Sequence, residues 1–240
     1  MRGLVLLLDA ERCADGVELI RLDDASGIQT RYGKAGAMWF SWRSDRSDRV
    51  EQEAVDLENP LVIRFVNAND DDRRITFLST FGLPEGFLLG VPGTKKRIIT
   101  RFLSSSALPE EFLLGAPGVG LPAEPRDFIL GEQRELRRLL EDAGSGDAAR
   151  MDKAASRALR SVRDSGPSRL HGRTALTAQT LTDFMRFEIN AVVENGARLA
   201  RCKRCDNFFL YGKGTKRRST ATYCRDLCRV GAYRANKRGS

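Results

Sequence analysis

The sequence predicts an α+β protein: a mostly helical body with a small β part at its N-terminus, followed by a compact cysteine-anchored module at the C-terminus. Three observations predict it. Helical apolar stripes dominate residues 127–200, short aromatic or alternating segments fall within the first fifty residues of the body, and four of the five cysteines fall between positions 202 and 228. The body is expected over residues 1–165, and a long helix running into the module over residues 175–240. At 240 residues the chain is long enough to bury a core, and its 41% apolar and 30% charged composition is that of a globular protein. The longest apolar run, Leu4 to Leu8, is too short to span a bilayer and is followed by Asp9 and Glu11. A cytoplasmic protein without a membrane partner is the expectation.

Taken in order, Val17 to Leu22 alternates in part, and Ala37 to Trp42 has the aromatic content of a strand, with turns at Ser26-Gly27 and Gly33–Gly36 between them. Asn59-Pro60 opens a new unit. Leu61 to Phe65 fits a strand or a first helical turn, for which Pro60 suits the first helical position. Asn69-Asp-Asp-Asp72 reads as a helix start, with short polar caps and acids at the positive end of the dipole. A tandem duplication follows: residues 77–93 recur at 102–118, twelve of seventeen positions matching, each copy reading as a helix end, a Leu-Pro-Glu turn and a Pro-Gly stop. Two copies are too few for a solenoid. Pro117 to Pro125 reads as a linker.

Asp127 to Ala143 is a helix with Leu136, Leu139, Leu140 and Ala143 on one face. Asp147 caps a second, running to about Val162, with Met151, Ala155, Ala158 and Val162 inward and Arg150, Lys153, Arg157 and Arg160 on another face. That basic face is read first as a solvated surface and second as a further phosphate contact. Ser165 to Ser168 marks a boundary, His171 lies in a loop, and Thr177 to Ala200 reads as the longest helix, joined to the module without a linker.

Cys202 and Cys205 have knuckle spacing, and Cys224 and Cys228 are four apart, on one face of a helical turn. Asn207 to Tyr211 and Thr220 to Tyr223 read as a hairpin turning at Gly212-Lys-Gly214, and residues 224–238 as a helix. A knuckle, a hairpin and a helix carrying the last two ligands make up the treble-clef plan. Four thiolates in two pairs are a tetrahedral ligand set that favours Zn2+ over harder ions and leaves no open position, so the site is expected to be structural. Cys13 is left over as a lone thiol. Tyr211, Tyr223 and Tyr233 fit a small finger core better than a base-stacking platform.

Charge is strongly asymmetric. Residues 201–240 carry twelve Lys or Arg against Asp206 and Asp226, a net +10, so the first 200 residues are near −2 and the total is +8. Lys213, Lys216, Arg217 and Arg218 crowd the expected hairpin turn, and Arg225, Arg229, Arg234, Lys237 and Arg238 crowd the last helix. This pattern points to a polyanion, with these nine side chains as phosphate contacts.

The string Arg198-Leu-Ala-Arg-Cys-x-x-Cys-x-x-Phe-Phe209, followed by Tyr223-Cys-x-x-x-Cys-Arg-x-x-Ala-Tyr-Arg-x-x-x-Arg238, resembles the C-terminal finger of the bacterial CGNR-type zinc-finger proteins and their treble-clef relatives. The likeness covers about 45 residues of the sequence, and an upstream Asn59-Pro-Leu-Val-Ile-Arg-Phe65 segment resembles their N-terminal part more loosely. After Cys228 this chain reads Arg-Val-Gly where the namesake motif has Gly-Asn-Arg. The resemblance implies a zinc-dependent transcription regulator with Cys202, Cys205, Cys224 and Cys228 as ligands and nothing catalytic. Its larger body would sense a signal or form homo-oligomers. Two other readings fit the same residues: a structural zinc module whose basic surface meets an acidic protein, and an RNA-binding module. An enzyme is not expected, because the chain shows no paired histidines, nucleophile elbow, complete phosphate loop or placeable carboxylate pair.

Overall fold

The computed structural model describes residues 5–21, 38–44, 46–53, 57–84, 123–160, 165–170, 173–178 and 180–238. The turns expected at 26–27 and 33–36, His171, Val162, most of the first repeat copy and all of the second lie outside them.

The chain forms two compact units, each drawn from three separated stretches. The first takes residues 1–54, 68–133 and 163–184; the second takes 55–67, 134–162 and 185–240. The divisions at 133/134 and 184/185 fall inside helices.

The first unit holds seven strands among the described residues, so its β content is larger than a small N-terminal part. A four-stranded sheet has the order β4-β1-β7-β6, built from β1 (Val5–Cys13), β4 (Ser47–Glu53), β6 (Ser165–Leu170) and β7 (Arg173–Ala178). β1 pairs antiparallel with β4 and parallel with β7, Leu6 facing Leu176 in register. The boundary read at Ser165–Ser168 is therefore a strand. β6 lies at the sheet edge, where a proline at position 167 removes no central ladder bond.

A second sheet has the order β2-β3-β5. β2 (Val17–Arg21) and β3 (Met38–Trp42) are the two strands read from the sequence, paired Val17 to Trp42 and Arg21 to Met38. β5 (Ala123–Pro125) pairs with β3 and is fully buried, which corrects the linker reading for its last three residues. Helix α2 (Asp71–Phe81) starts where the acidic run predicts it, the Asp70 carboxylate accepting from the Arg73 amide at 2.8 Å. Cys13 is buried at the end of β1, its thiol directed at the Ser44 carbonyl 3.6 Å away.

In the second unit α1 (Leu61–Val66) is a short helix entered through Pro60, which occupies the cap rather than the first helical position. Helix α3 (Arg126–Ala143) begins in the first unit and ends in the second; Leu136, Leu139, Leu140 and Ala143 are buried as the stripe requires. Helix α4 (Ala148–Arg160) starts at Asp147, whose carboxylate accepts from the Arg150 amide. Ala158 is buried and Met151 and Ala155 are half-buried as the expected stripe requires, with Ala154 buried beside them. Helix α5 (Leu181–Asn195) likewise crosses from the first unit to the second.

The largest departure from the sequence reading is at the C-terminal end of that helix. It stops at Asn195, and Gly196, at φ +65°, turns the chain into β8 (Ala197–Arg201). β8 pairs antiparallel with β9 (Phe208–Gly212), Leu199 facing Leu210. The knuckle cysteines therefore sit in the β8–β9 connection. Residues 220–223 run from a turn at Thr220 to a bend at Tyr223 and form no return strand. Helix α6 (Asp226–Arg238) closes the chain. No helix among the described residues is long and apolar enough to cross a membrane.

Candidate metal centre

The β8–β9 connection is folded by its own backbone. The Asp206 amide donates to the Cys202 carbonyl and the Cys202 amide to the Asn207 carbonyl, both at 2.9 Å. Asp206 takes a left-handed conformation (φ +58°), which short polar side chains tolerate best after glycine. The Lys203 amide donates to the Thr222 carbonyl at 3.2 Å, tying the approach to Cys224 beside the knuckle. Cys224 lies just before α6 and Cys228 in its first turn.

These constraints bring all four sulfurs within 4.8 Å of one another. The Cys205–Cys224 and Cys224–Cys228 separations are 3.5 Å, and Cys228–Cys205 is 3.7 Å. A tetrahedron of thiolates at ~2.3 Å from a central zinc ion places its sulfurs ~3.8 Å apart. The four cysteines can therefore hold a metal ion in a closed shell with little movement. Cys202 and Cys228 are buried, Cys224 half-buried and Cys205 exposed.

The electrostatics of the cluster oppose ionisation of all four thiols at once. Burial pushes the Cys224 thiol well up, and the neighbouring thiols add to the effect. Burial also raises Cys205, against hydrogen bonds that lower it. Burial works the same way on Cys202, but backbone hydrogen bonds around Cys224, Cys205 and Arg204 outweigh it and bring that thiol down to about 6. So many sulfurs cannot ionise together in this small volume unless a central cation reverses the repulsion. Arg225 stands beside them, its pKa raised by a hydrogen bond and charge interaction with Cys228.

Around the cluster is a small apolar core of Cys202, Phe209 and Cys228, with Ala200, Tyr211, Ala221 and Tyr223 against it. Tyr211 and Tyr223 are thus core residues, while Tyr233 is 68% exposed. The hairpin is held to the rest of its unit by contacts from distant sequence. Asn67 accepts from the Phe208 amide at 2.8 Å and donates to the Phe208 carbonyl at 2.9 Å, filling the place of a strand partner. The Leu199 amide donates to the Gly144 carbonyl, and the Arg201 guanidinium stacks 4.3 Å over the Phe208 ring.

The nine cations assigned to phosphate contact separate into different environments. Arg217 is half-buried. Its guanidinium donates to the carbonyls of Cys224 (2.9 Å), Glu58 (3.1 Å) and Leu210 (3.3 Å) and lies over the Phe209 ring. It is a brace within the fold. Lys216 pairs with Glu58 at 3.0 Å. Lys213, Arg218, Arg225, Arg229, Arg234 and Lys237 are exposed, and Arg238 is the last residue of α6. Arg229 also meets Asp226 at 3.0 Å, both side chains exposed. On α4, Arg150 pairs with Asp142 and Arg157 with Glu135, so half of that basic face is already engaged. Sequence reasoning missed the roles of Arg217 and Asn67, whose partners lie up to 159 residues away. It also missed Arg204, which crosses to donate to the Leu227 carbonyl at 2.9 Å through the space that the absent side chain of Gly231 leaves.

Arg217→Ala is expected to destabilise the protein by ~2 kcal/mol, because it strips charged donors from three partly buried carbonyls. Arg218→Ala, at an exposed position, should stay within ~0.5 kcal/mol. Chemical denaturation of both variants checks this, and equal stabilities would contradict the bracing role. No protein-family model matches the sequence, and comparison with curated proteins returns no relative.

Proposed function

We propose that Cys202, Cys205, Cys224 and Cys228 hold one Zn2+ as a structural centre, and that this treble-clef finger is the DNA-binding part of a transcription regulator. The observation that carries the reading is the surface that the metal centre organises. Six exposed cations, Lys213, Arg218, Arg225, Arg229, Arg234 and Lys237, lie on the loop after β9 and on the segment from Cys224 through α6, the stretches that follow from and tie into a cluster whose own ligands would be consumed by the ion. Four sulfurs complete a tetrahedral shell, so the ion has no position for substrate or water and no catalytic role. The cysteines orient the hairpin and α6; the cations supply affinity for a phosphate backbone. The likeness to the CGNR-type finger supports the same reading, with duplex DNA ahead of RNA as the partner. The remainder of the chain would sense a signal or hold copies together in the cytoplasm.

The test is a salt titration of zinc-loaded protein against duplex DNA, single strands and RNA. Six phosphate contacts give a log–log slope of about −5 and a loss of around a thousandfold in affinity between 50 and 200 mM salt. Lys213→Ala and Arg218→Ala should each lower the slope by about one with no change in zinc content. Absence of duplex binding at 50 mM salt, in protein holding one zinc per chain, would sink the reading.

A further inference from the structure

Helix α6 is attached through little of its circumference. Along it Cys228 is buried and Gly231 and Ala232 are half-buried, while the other residues from Asp226 to Lys237 are exposed. Its 13 residues span ~20 Å at 1.5 Å per residue. The exposed side is not simply polar. Leu227 is 72% exposed, Val230 40% and Tyr233 68%, three of the four exposed large apolar side chains among the described residues. At intervals of three they form one stripe, opposite the line that packs on the metal cluster. Arg234 and Lys237 follow Val230 by four and seven and continue that stripe. Between Arg225 and Arg238 the sequence has five cations and one acid, Asp226.

Three large apolar side chains aligned in one exposed stripe are more than a solvated helix face needs, and the core-facing side is already occupied. The surrounding cations select a polyanion, and among polyanions duplex DNA offers apolar groups to a helix. Its major groove is ~12 Å wide, admits an α-helix, and presents the thymine methyl beside hydrogen-bonding base edges. We infer that α6 enters the major groove, with Leu227 and Val230 meeting thymine methyl groups and Arg234 and Lys237 holding the flanking backbone. This rests on the DNA-binding reading above and extends it from gripping a backbone to preferring thymine-containing steps. Residues near the start of α6 then contact bases, as in other groove-reading helices, and Tyr233 lines the groove wall.

The experiment starts with selection from a random duplex pool at 150–200 mM salt, using zinc-loaded full-length protein. A motif with fixed thymines is expected. Replacing each fixed thymine by deoxyuridine, which deletes only the methyl, should weaken binding about fourfold, the worth of one buried methyl-sized group. Leu227→Ala and Val230→Ala should erase the thymine-over-uracil preference at their own positions. Binding to unselected duplex at 50 mM salt should stay within about twofold in both variants, because phosphate contacts are retained. Both side chains are exposed, so unchanged zinc content and circular dichroism serve as the folding control. Low-salt duplex binding with no selected motif, or with a motif indifferent to uracil and to both substitutions, overturns this inference while leaving the DNA-binding reading intact. That result would assign the Leu227–Val230 face to a protein partner. Absence of duplex binding even at 50 mM salt defeats both.

Discussion

A Cys224→Ser chain is expected to lose stoichiometric metal and, with it, the order of α6. Cys224 is in contact with two of the other three sulfurs at 3.5 Å, so no tetrahedral set remains without it. Structural zinc sites contribute about 10–16 kcal/mol of apparent binding free energy, and losing one of four ligands forfeits ~3 kcal/mol or more, over a hundredfold in affinity. The apolar core around the site, three buried side chains and a few half-buried neighbours, is too small to replace that. Helix α6 depends on it most, being attached only near Cys228, Gly231 and Ala232. The β8–β9 hairpin has other anchors in Asn67 and Gly144 and should persist. Hydrogen exchange reads this directly: protection at residues 226–238 should vanish while β1 and β7 keep theirs. Cys13→Ser is the control, since that thiol faces Ser44 and should leave metal content untouched. A full metal complement in Cys224→Ser would refute the ligand assignment.

Glu188→Ala is expected to be the most damaging single substitution outside the metal centre. Glu188 is fully buried, and its carboxylate accepts from the amides of Leu61 (2.9 Å) and Val62 (2.7 Å). These are the first two donors of α1, a helix whose own cap, Pro60, offers no side-chain acceptor. A residue 127 positions away thus acts as the cap. Its negative charge also favours the charged form of Arg64, against a burial that lowers that group's pKa. Truncation to Ala strands two buried donors and opens a cavity, costing roughly 2–5 kcal/mol. Glu188→Gln keeps one acceptor but turns an amide NH2 toward the second donor, so about half of that loss is expected. Urea denaturation of the two variants measures both, and a Glu188→Ala cost below ~1 kcal/mol would show that water or another group takes over the cap.

Local chemistry was legible in the sequence, and long-range chemistry was not. The four cysteines, the strands at 17–21 and 38–42, the cap at Asp70 and the buried face of α3 each follow from residues within a turn or two of one another. β8 failed for a physical reason. Ala-Arg-Leu-Ala-Arg has high helix propensity and no β-branched residue, yet pairing with β9 and the bond from Leu199 to Gly144 override it. Gly196 was the available signal. β6 failed because Gly and Pro normally punctuate, and only its edge position makes them acceptable. Arg217 looked like any other cation in a basic loop. What separates it from Arg218 is a set of carbonyls contributed by Glu58, Leu210 and Cys224, which no local pattern encodes. The same holds for Glu188 and Asn67, ordinary polar residues until their partners are known.

The most direct test of the central claim, one closed four-thiolate centre per chain, is a cobalt titration of reduced, metal-free protein followed by optical absorption. Tetrahedral cobalt with four thiolates shows intense sulfur-to-metal charge-transfer and d–d bands, which zinc then bleaches on displacement. Saturation at one equivalent per chain, with a band intensity matching four thiolates and exposed Cys205 protected from alkylation by the metal, is the expected result. Saturation at half an equivalent, a spectrum of fewer than four thiolates, or free alkylation of Cys205 in the loaded protein would contradict it.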